Sequence, residues 1–447
     1  MFSRIMVATR GEIALRIIRA CREMGIETVA VYSEADRSAL FVRAADAAIC
    51  IGPAPSAQSY LNIPHIISAA EIADVEAIHP GYGFLAENAH FAEICETSAI
   101  TFIGPSPRAM KLFGDKCEAK AVAKQAGALT VPGSGGPVGT DEEALKIAHE
   151  IGFPIIVKAA AGGGGRGMRI AHNDISLVNS LISARREAEA SFRDGTIYIE
   201  KLLVGTRHVE VQILGDAYGR LVHLGERDCS IQRRHQKLVE ETPSPGVEKS
   251  LREKICETAL KIAKAAGYTN AGTVEFLLDR SGKFYFIEAN ARLQVEHPIT
   301  EAVNEFDIVK EQIRIAAGEP LSISQKAVRP HGAAIECRVN AENPSDHFRP
   351  CAGKISLIVH PGGPGVRIDS CAFSGWTVPS HYDSLISKLV VYRPTRAEAI
   401  DTMRRALKEY IIEGIQTTIP FHQEVLSNAR FISGDYDTSF ADGIVLP

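Results

Sequence analysis

The chain has 447 residues, 45% hydrophobic and 23% charged, which is the composition of a globular protein too long for one simple core. Its 49 basic against 54 acidic residues leave a net charge of −5, which argues against broad binding to nucleic acid or to an acidic membrane. Nine cysteines are scattered without a CxxC pair or a Cys/His cluster at zinc spacing, and no apolar stretch is long enough to cross a bilayer. They read as reduced and mostly buried, as in a cytoplasmic protein.

The first hundred residues alternate strand-like and helix-like patterns. Ile5–Ala8 reads as a strand, Arg10-Gly11-Glu12 as a turn and Ile13–Met24 as an amphipathic helix stopped by Gly25. Thr28–Tyr32 is the next strand, and the alternation predicts a parallel sheet covered by helices. The glycine fingerprint of dinucleotide-binding folds does not follow the first strand, so the fold type alone implies no cofactor. The segment 79–88, HPGYGFLAEN, reads as a tight turn leading into a helix and by itself no more than a βα loop. Residues 132–137, PGSGGP, form a breaker-rich linker. Beyond it lies a compact unit with strands near 155–159 and 196–201 and a polar helix between them. From about residue 204 the pattern becomes strand-rich and ends in mixed strands and helices.

Four segments carry chemistry. Residues 158–169, KAAAGGGGRGMR, follow an apolar strand, and four consecutive glycines leave backbone N–H groups open to a polyanion. Lys158 would set a point charge against the same phosphates; this is not a Walker A sequence, and a flexible hairpin tip is the plainer alternative. Lys116 alone reads as a solvated lysine. Next, residues 273–278 and 284–290 read as two strands. With a two-residue turn at Ser281-Gly282, Arg280 pairs with Lys283 and Glu275 falls opposite Glu288, Cβ atoms roughly 5 Å apart. Asn290 shares that face, and the three are hard oxygen donors suited to magnesium or manganese. A one-residue slip would put the glutamates on opposite faces, and a solvated strand face is the rival reading. Third, in residues 292–298, RLQVEHP, Arg292 and Gln294 could fork onto a small planar oxyanion such as bicarbonate, with Glu296 as a base; taken alone, the heptapeptide reads more plainly as a salt-bridged loop. Last, the block 223–237 is either an exposed loop or a nucleotide-facing strand and turn. Arg338, in an apolar strand, needs either a structural carboxylate or a substrate anion as partner.

In this order the motifs closely resemble the biotin carboxylases of the ATP-grasp superfamily, over essentially the full length. The resemblance rests on residues 8–14 (ATRGEIA), HPGYGFLAEN, GGGGRGMR, residues 226–237 (ERDCSIQRRHQK) and RLQVEH. It implies an α/β fold: a Rossmann-like parallel-sheet domain (1–113), a first ATP-grasp part (114–203) with a mobile lid at about 131–203, and a region (204–447) completing the ATP-grasp unit and a mixed α+β C-terminal domain. It implies ATP contacts from Lys116, Lys158, Gly163, Gly164, Gly165, Arg166, Gly167, Met168, Glu200, Lys201, Leu203, His208, Gln232, His235 and Leu277, with Glu275 and Glu288. Metal falls to Glu275, Glu288 and Asn290, and bicarbonate to Lys237, Arg292, Gln294 and Val295. Glu296 is the implied base, Arg338 the group that holds the biotin enolate, and Tyr82 a residue beside the biotin ring. The implied reaction is ATP- and bicarbonate-dependent carboxylation of biotin through carboxyphosphate, the first half-reaction of acetyl-CoA carboxylase. No Met-Lys-Met attachment motif occurs, so biotin is expected on a separate carrier protein, with carboxyltransferase subunits as further partners. A homodimer is implied with Arg19 and Glu23 at its interface.

Overall fold

The computed structural model describes residues 1–159, 168–192 and 194–446. Its first sheet is parallel and five-stranded, in the order Ala47–Cys50, Glu27–Tyr32, Arg4–Val7, Ala77–His79 and Thr101–Phe102. Ile5, Met6 and Val7 of the central strand are fully buried, because helices such as Gly11–Glu23 and Ile63–Ile72 cover both faces. The alternation in the sequence predicts this sheet, though the first helix starts at Gly11 (φ 75°) rather than at Ile13. Beyond the carboxyl ends of two of its strands lie Glu12, in the first turn of helix Gly11–Glu23, and the loop carrying Tyr82; such ends are where open α/β sheets offer their crevices.

A small antiparallel sheet of Arg169–Ala171, Ile155–Ala159 and Ile197–Lys201 carries its own core with helices Asp141–Ile151 and Asp174–Phe192. The period of two sends Ile155, Val157, Ile197 and Ile199 into that core and leaves Lys158 and Glu200 on the other face.

The largest sheet is antiparallel and eight-stranded: Phe284–Asn290, Asn270–Leu278, Arg207–Gly215, Leu221–Arg233, Gln236–Thr242, Ala333–Asn340, Leu385–Arg393 and Val366–Ser370. The strand Arg207–Gly215 explains how it is used. Val209, Val211 and Ile213 pack with Ile255, Ala259 and Ile262 of helix Lys249–Ala265. The alternate residues His208, Glu210 and Gln212 are also buried, on the opposite face. Both faces are thus dry, one apolar and one ionic, and the ionic face is where the chemistry-bearing residues collect. The molecule has the α/β architecture that the resemblance implies, a parallel sheet at its start and a large antiparallel sheet after it. Among the described residues no helix is long and apolar enough to cross a membrane.

Candidate active site

Register builds the site. Glu210 stands opposite Glu275, and Glu275 opposite Glu288, so three neighbouring strands set three carboxylates in one row. Such a row repels itself unless cations lie against it. Lys237 supplies one: its Nζ lies 2.5 Å from Glu210 Oε2, 3.1 Å from Glu275 Oε1 and 2.7 Å from Glu296 Oε1. The fully buried Arg227 supplies another, donating to Glu210 Oε1 at 2.6 Å. From the next strands, Arg338 donates to Glu240 at 2.6 Å and to Glu296 Oε2 at 2.8 Å. Each oxygen of Glu296 therefore faces its own cation. Burial alone would raise this carboxyl, but Lys237, Arg338 and Arg227 hold it well below the usual carboxylate range, so it is ionised. Cys229, with Sγ 3.9 Å from Glu296 Oε1, keeps its proton because burial and Glu210 push the thiol up.

The RLQVEH segment folds back over the row. Asn290 Nδ2 and Gln294 Nε2 donate to Glu275 Oε1 at 2.8 and 3.2 Å. Arg292 donates to Gln294 Oε1 (2.8 Å), Asn290 Oδ1 (3.1 Å) and Glu87 Oε2 (2.9 Å). Arg292 and Gln294 are thus bonded to each other here, and both must turn outward before they can fork onto an anion. The Val295 carbonyl accepts from Lys388 Nζ at 3.0 Å.

The residues expected to contact the nucleotide are placed as follows. His208 Nε2 is 2.7 Å from Glu275 Oε2, and His208 faces Leu277 across the strand pair. Gln232 is opposite Lys237, and His235 is exposed in the turn after it at φ 64°. Block 223–237 is therefore a strand and turn, with Glu226–Ile231 buried, rather than an exposed loop. Lys116 Nζ is 4.0 Å from Glu288 Oε2. Lys158 and Lys120 both pair with Glu200, the first at 2.5 Å. The Lys201 ammonium donates to the carbonyls of Gly152 (3.0 Å) and Phe153 (2.6 Å) rather than joining Lys158 and Glu200. Leu203 and Met168 are half-buried. Gly163, Gly164, Gly165, Arg166 and Gly167 lie outside the described residues. The Tyr82 hydroxyl donates to Glu12. Arg19 and Glu23 are exposed on the first helix, and Glu23 pairs with Lys310 at 2.6 Å.

Three family models match the chain in succession. Residues 1–110 match the one described as biotin carboxylase, N-terminal domain; 115–324 match carbamoyl-phosphate synthase L chain, ATP binding domain; and 336–443 match biotin carboxylase C-terminal domain. The chain is 56% identical over 439 residues to a biotin carboxylase of Nostoc sp., covering 98% of each. It belongs to the biotin carboxylase family. Among solved structures, a biotin carboxylase–beta-gamma-ATP complex from Campylobacter jejuni superposes with a TM-score of 0.97 at 50% identity, covering 99% of both chains. The biotin carboxylase domain dimer of the 2-oxoglutarate carboxylase of Hydrogenobacter thermophilus, in complex with MgADP, ADP and bicarbonate, superposes at 0.96 and 49% identity, covering 99% and 97%.

For this biotin carboxylase chain the sequence reading overlooked Glu210, Arg227 and Glu240. The polar half of RHVEVQILG was the available signal: His208, Glu210 and Gln212 at a spacing of two mark a buried polar face as clearly as the valines mark the apolar one. The Glu275–Glu288 pairing is present, but by another route. The turn is a three-residue loop, Asp279 N–H donating to the Lys283 carbonyl, and Leu278 pairs with Phe284. On that register Glu275 would face Ile287. A bulge between the Glu275 and Phe276 pairs absorbs Ile287 and brings Glu288 opposite Glu275. The short-turn expectation is corrected, and its slip is cancelled by an irregularity that alternation cannot reveal.

Proposed function

We propose that this chain carboxylates biotin on a separate carrier protein, using ATP and bicarbonate, as the first half-reaction of acetyl-CoA carboxylase. The observation that carries this reading is Glu296 held between Lys237 and Arg338, next to the carboxylate row, since ATP binding needs none of the three. In this reading Lys116, Lys158 and the loop 163–168 take the ATP phosphates. Glu200, Lys201, Leu203, His208, Gln232, His235 and Leu277 surround the nucleoside, Lys201 through its backbone.

Glu275 and Glu288 face one another as ionisable oxygen donors, and Asn290 beside them can turn its amide oxygen inward, a set that fits magnesium or manganese. When bound, the metal neutralises charge on the nucleotide phosphates. Bicarbonate meets Lys237, Arg292, Gln294 and the Val295 backbone. Its oxygen attacks the γ-phosphorus, ADP departs and Glu296 accepts the bicarbonate proton. With both cations against it Glu296 is a weak base; bicarbonate drawing Lys237 to itself strengthens it. Carboxyphosphate breaks down to carbon dioxide and phosphate. Biotin, beside Tyr82, gives its ureido proton to that phosphate; Arg338 holds the resulting enolate oxygen while nitrogen attacks carbon dioxide.

Domain boundaries near 113 and 203 fit this division of labour. The separate core of the small sheet supports a lid at about 131–203 that excludes water on closing. A carrier protein and carboxyltransferase subunits are the expected partners in the cytoplasm. The exposure of Arg19 and Glu23 supports a homodimer interface there.

The test is ADP release by the full chain with magnesium, ATP and bicarbonate, with and without free biotin. Release should require bicarbonate, rise with biotin and fall at least about 100-fold in Glu296→Gln. ATP binding with turnover that ignores biotin overturns the reading. The 49% identity to the 2-oxoglutarate carboxylase domain supports a second reading, a component of a keto-acid carboxylase. Transfer from carboxylated carrier to a keto acid rather than to acetyl-CoA would select it.

A further inference from the structure

Lys388 takes no part in the steps above, yet it is a fully buried ammonium on the strand Leu385–Arg393, directly opposite Arg338. Removing an ammonium from water costs several kcal/mol unless partners replace the solvent. Three chain segments distant in sequence supply them. Lys388 Nζ lies 3.0 Å from the Val295 carbonyl, 3.1 Å from Glu12 Oε1 and 3.9 Å from Asp369 Oδ2. The same Oε1 of Glu12 accepts the Tyr82 hydroxyl, and Lys388 sits 5.9 Å from the Tyr82 ring centroid. Glu12 Oε2 has no partner, so one oxygen carries both contacts. Asp369 is further fixed by Arg367 at 2.8 Å, which anchors the network away from the site.

We infer that Lys388 is a positioning residue for biotin, holding Tyr82 through Glu12 while tying down the Val295 backbone, so that the biotin-side and bicarbonate-side groups keep one spacing. This rests on the reading of Tyr82 as beside biotin and Val295 as part of the bicarbonate site. The hydroxyl of Tyr82 is spent on Glu12, which leaves the ring as its contact surface and fixes where that ring stands. The chemistry of the ammonium suits the task. It directs three N–H donors outward from one compact point, enough to serve the Val295 carbonyl and the Glu12 carboxylate from different segments.

Steady-state ADP release by the full chain, titrated separately with free biotin and with MgATP, tests this. Lys388→Met alone leaves Glu12 without its cation, so Glu12→Gln/Lys388→Met, which removes one charge of each sign, is measured beside it. Both variants should raise the KM for biotin about tenfold while the KM for MgATP moves less than about twofold. Lys388→Arg should not restore the biotin KM. Tyr82→Phe should raise the biotin KM in the otherwise unaltered chain but add less than about twofold in the Lys388→Met background, because both lesions break one linkage. A folded double variant with the original biotin KM, or effects of Tyr82→Phe and Lys388→Met that multiply in full, would overturn the inference. Absence of biotin-stimulated release in the unaltered chain would instead remove the functional reading, and this one with it.

Discussion

Arg227 shows how much of the site depends on side chains that touch no substrate. Its guanidinium donates to Glu210 (2.6 Å), Gln212 (2.8 Å), Thr300 (3.0 Å) and Thr273 (3.2 Å) with no exposure at all. Arginine suits the position because four acceptors on two strands and a helix surround one planar fork. Arg227→Met leaves Glu210 buried with Lys237 alone and should cost about 3–5 kcal/mol in a urea titration. Glu210→Gln in the same chain removes the stranded charge, and the pair should recover more than about 1 kcal/mol relative to the sum of the single changes. Additivity within about 0.5 kcal/mol would show that the two do not act as a unit. None of this is written in the residues around Arg227. Its strand slips register between the His223 and Glu226 pairs, so which acceptor faces which donor is decided by the assembled sheet. RLQVEH and the Glu275–Glu288 pair were legible because their chemistry is local or lies across a single hairpin.

At the scale of elements, the hairpin Asn270–Leu278 and Phe284–Asn290 separates what spacing reveals from what it conceals. Alternation identified both strands and the shared face of Glu275 and Asn290. It did not identify the loop. Asp279 Oδ1 accepts from Ser281 N (2.9 Å), Ser281 Oγ (2.6 Å) and Lys283 N (3.0 Å), and this local bonding draws Arg280 into the turn. Gly282 alone takes the left-handed conformation, at φ 83°. A two-residue turn would need positive φ at Ser281 as well. The two geometries predict opposite signs for one substitution. Ser281→Gly should destabilise by about 0.5–1 kcal/mol, because Ser281 already has an ordinary φ and loses a hydroxyl contact. Gly282→Val should cost about 1–2 kcal/mol. Urea titrations give both values, and a stabilising Ser281→Gly would restore the shorter turn.

Across the whole molecule, the parallel sheet, the small sheet and the large antiparallel sheet follow one another much as the hydrophobic pattern suggests, since each builds mainly from neighbouring segments. The eight-stranded order was not readable. It brings Ala333–Asn340 beside Gln236–Thr242, and only that pairing carries Arg338 to Glu296. The same long-range packing sets the response to acid. His79, in the first sheet, and His422, in helix Ile419–Ser427, are fully buried. Burial lowers them to about 3 and about 4, Arg16 adding to the effect at His79. An unfolded histidine titrates near 6.5, so both contributions to stability are complete above that pH and are lost as pH falls toward the folded values. At pH 5 each has lost about 2 kcal/mol relative to pH 7.5. Glu336 works in the opposite direction. Burial and Glu240 push its carboxyl well above the usual range, both its oxygens lack partners, and the penalty of burying its charge is relieved as pH falls. Total stability mixes these effects, so the measurement is a difference between variants. His422→Gln should lose about 2 kcal/mol less than the unaltered chain between pH 7.5 and 5, whereas Glu336→Gln should gain stability over the unaltered chain chiefly at the alkaline end. Urea titrations across that range decide it: a His422→Gln curve parallel to that of the unaltered chain would mean that His422 is charged in the folded protein.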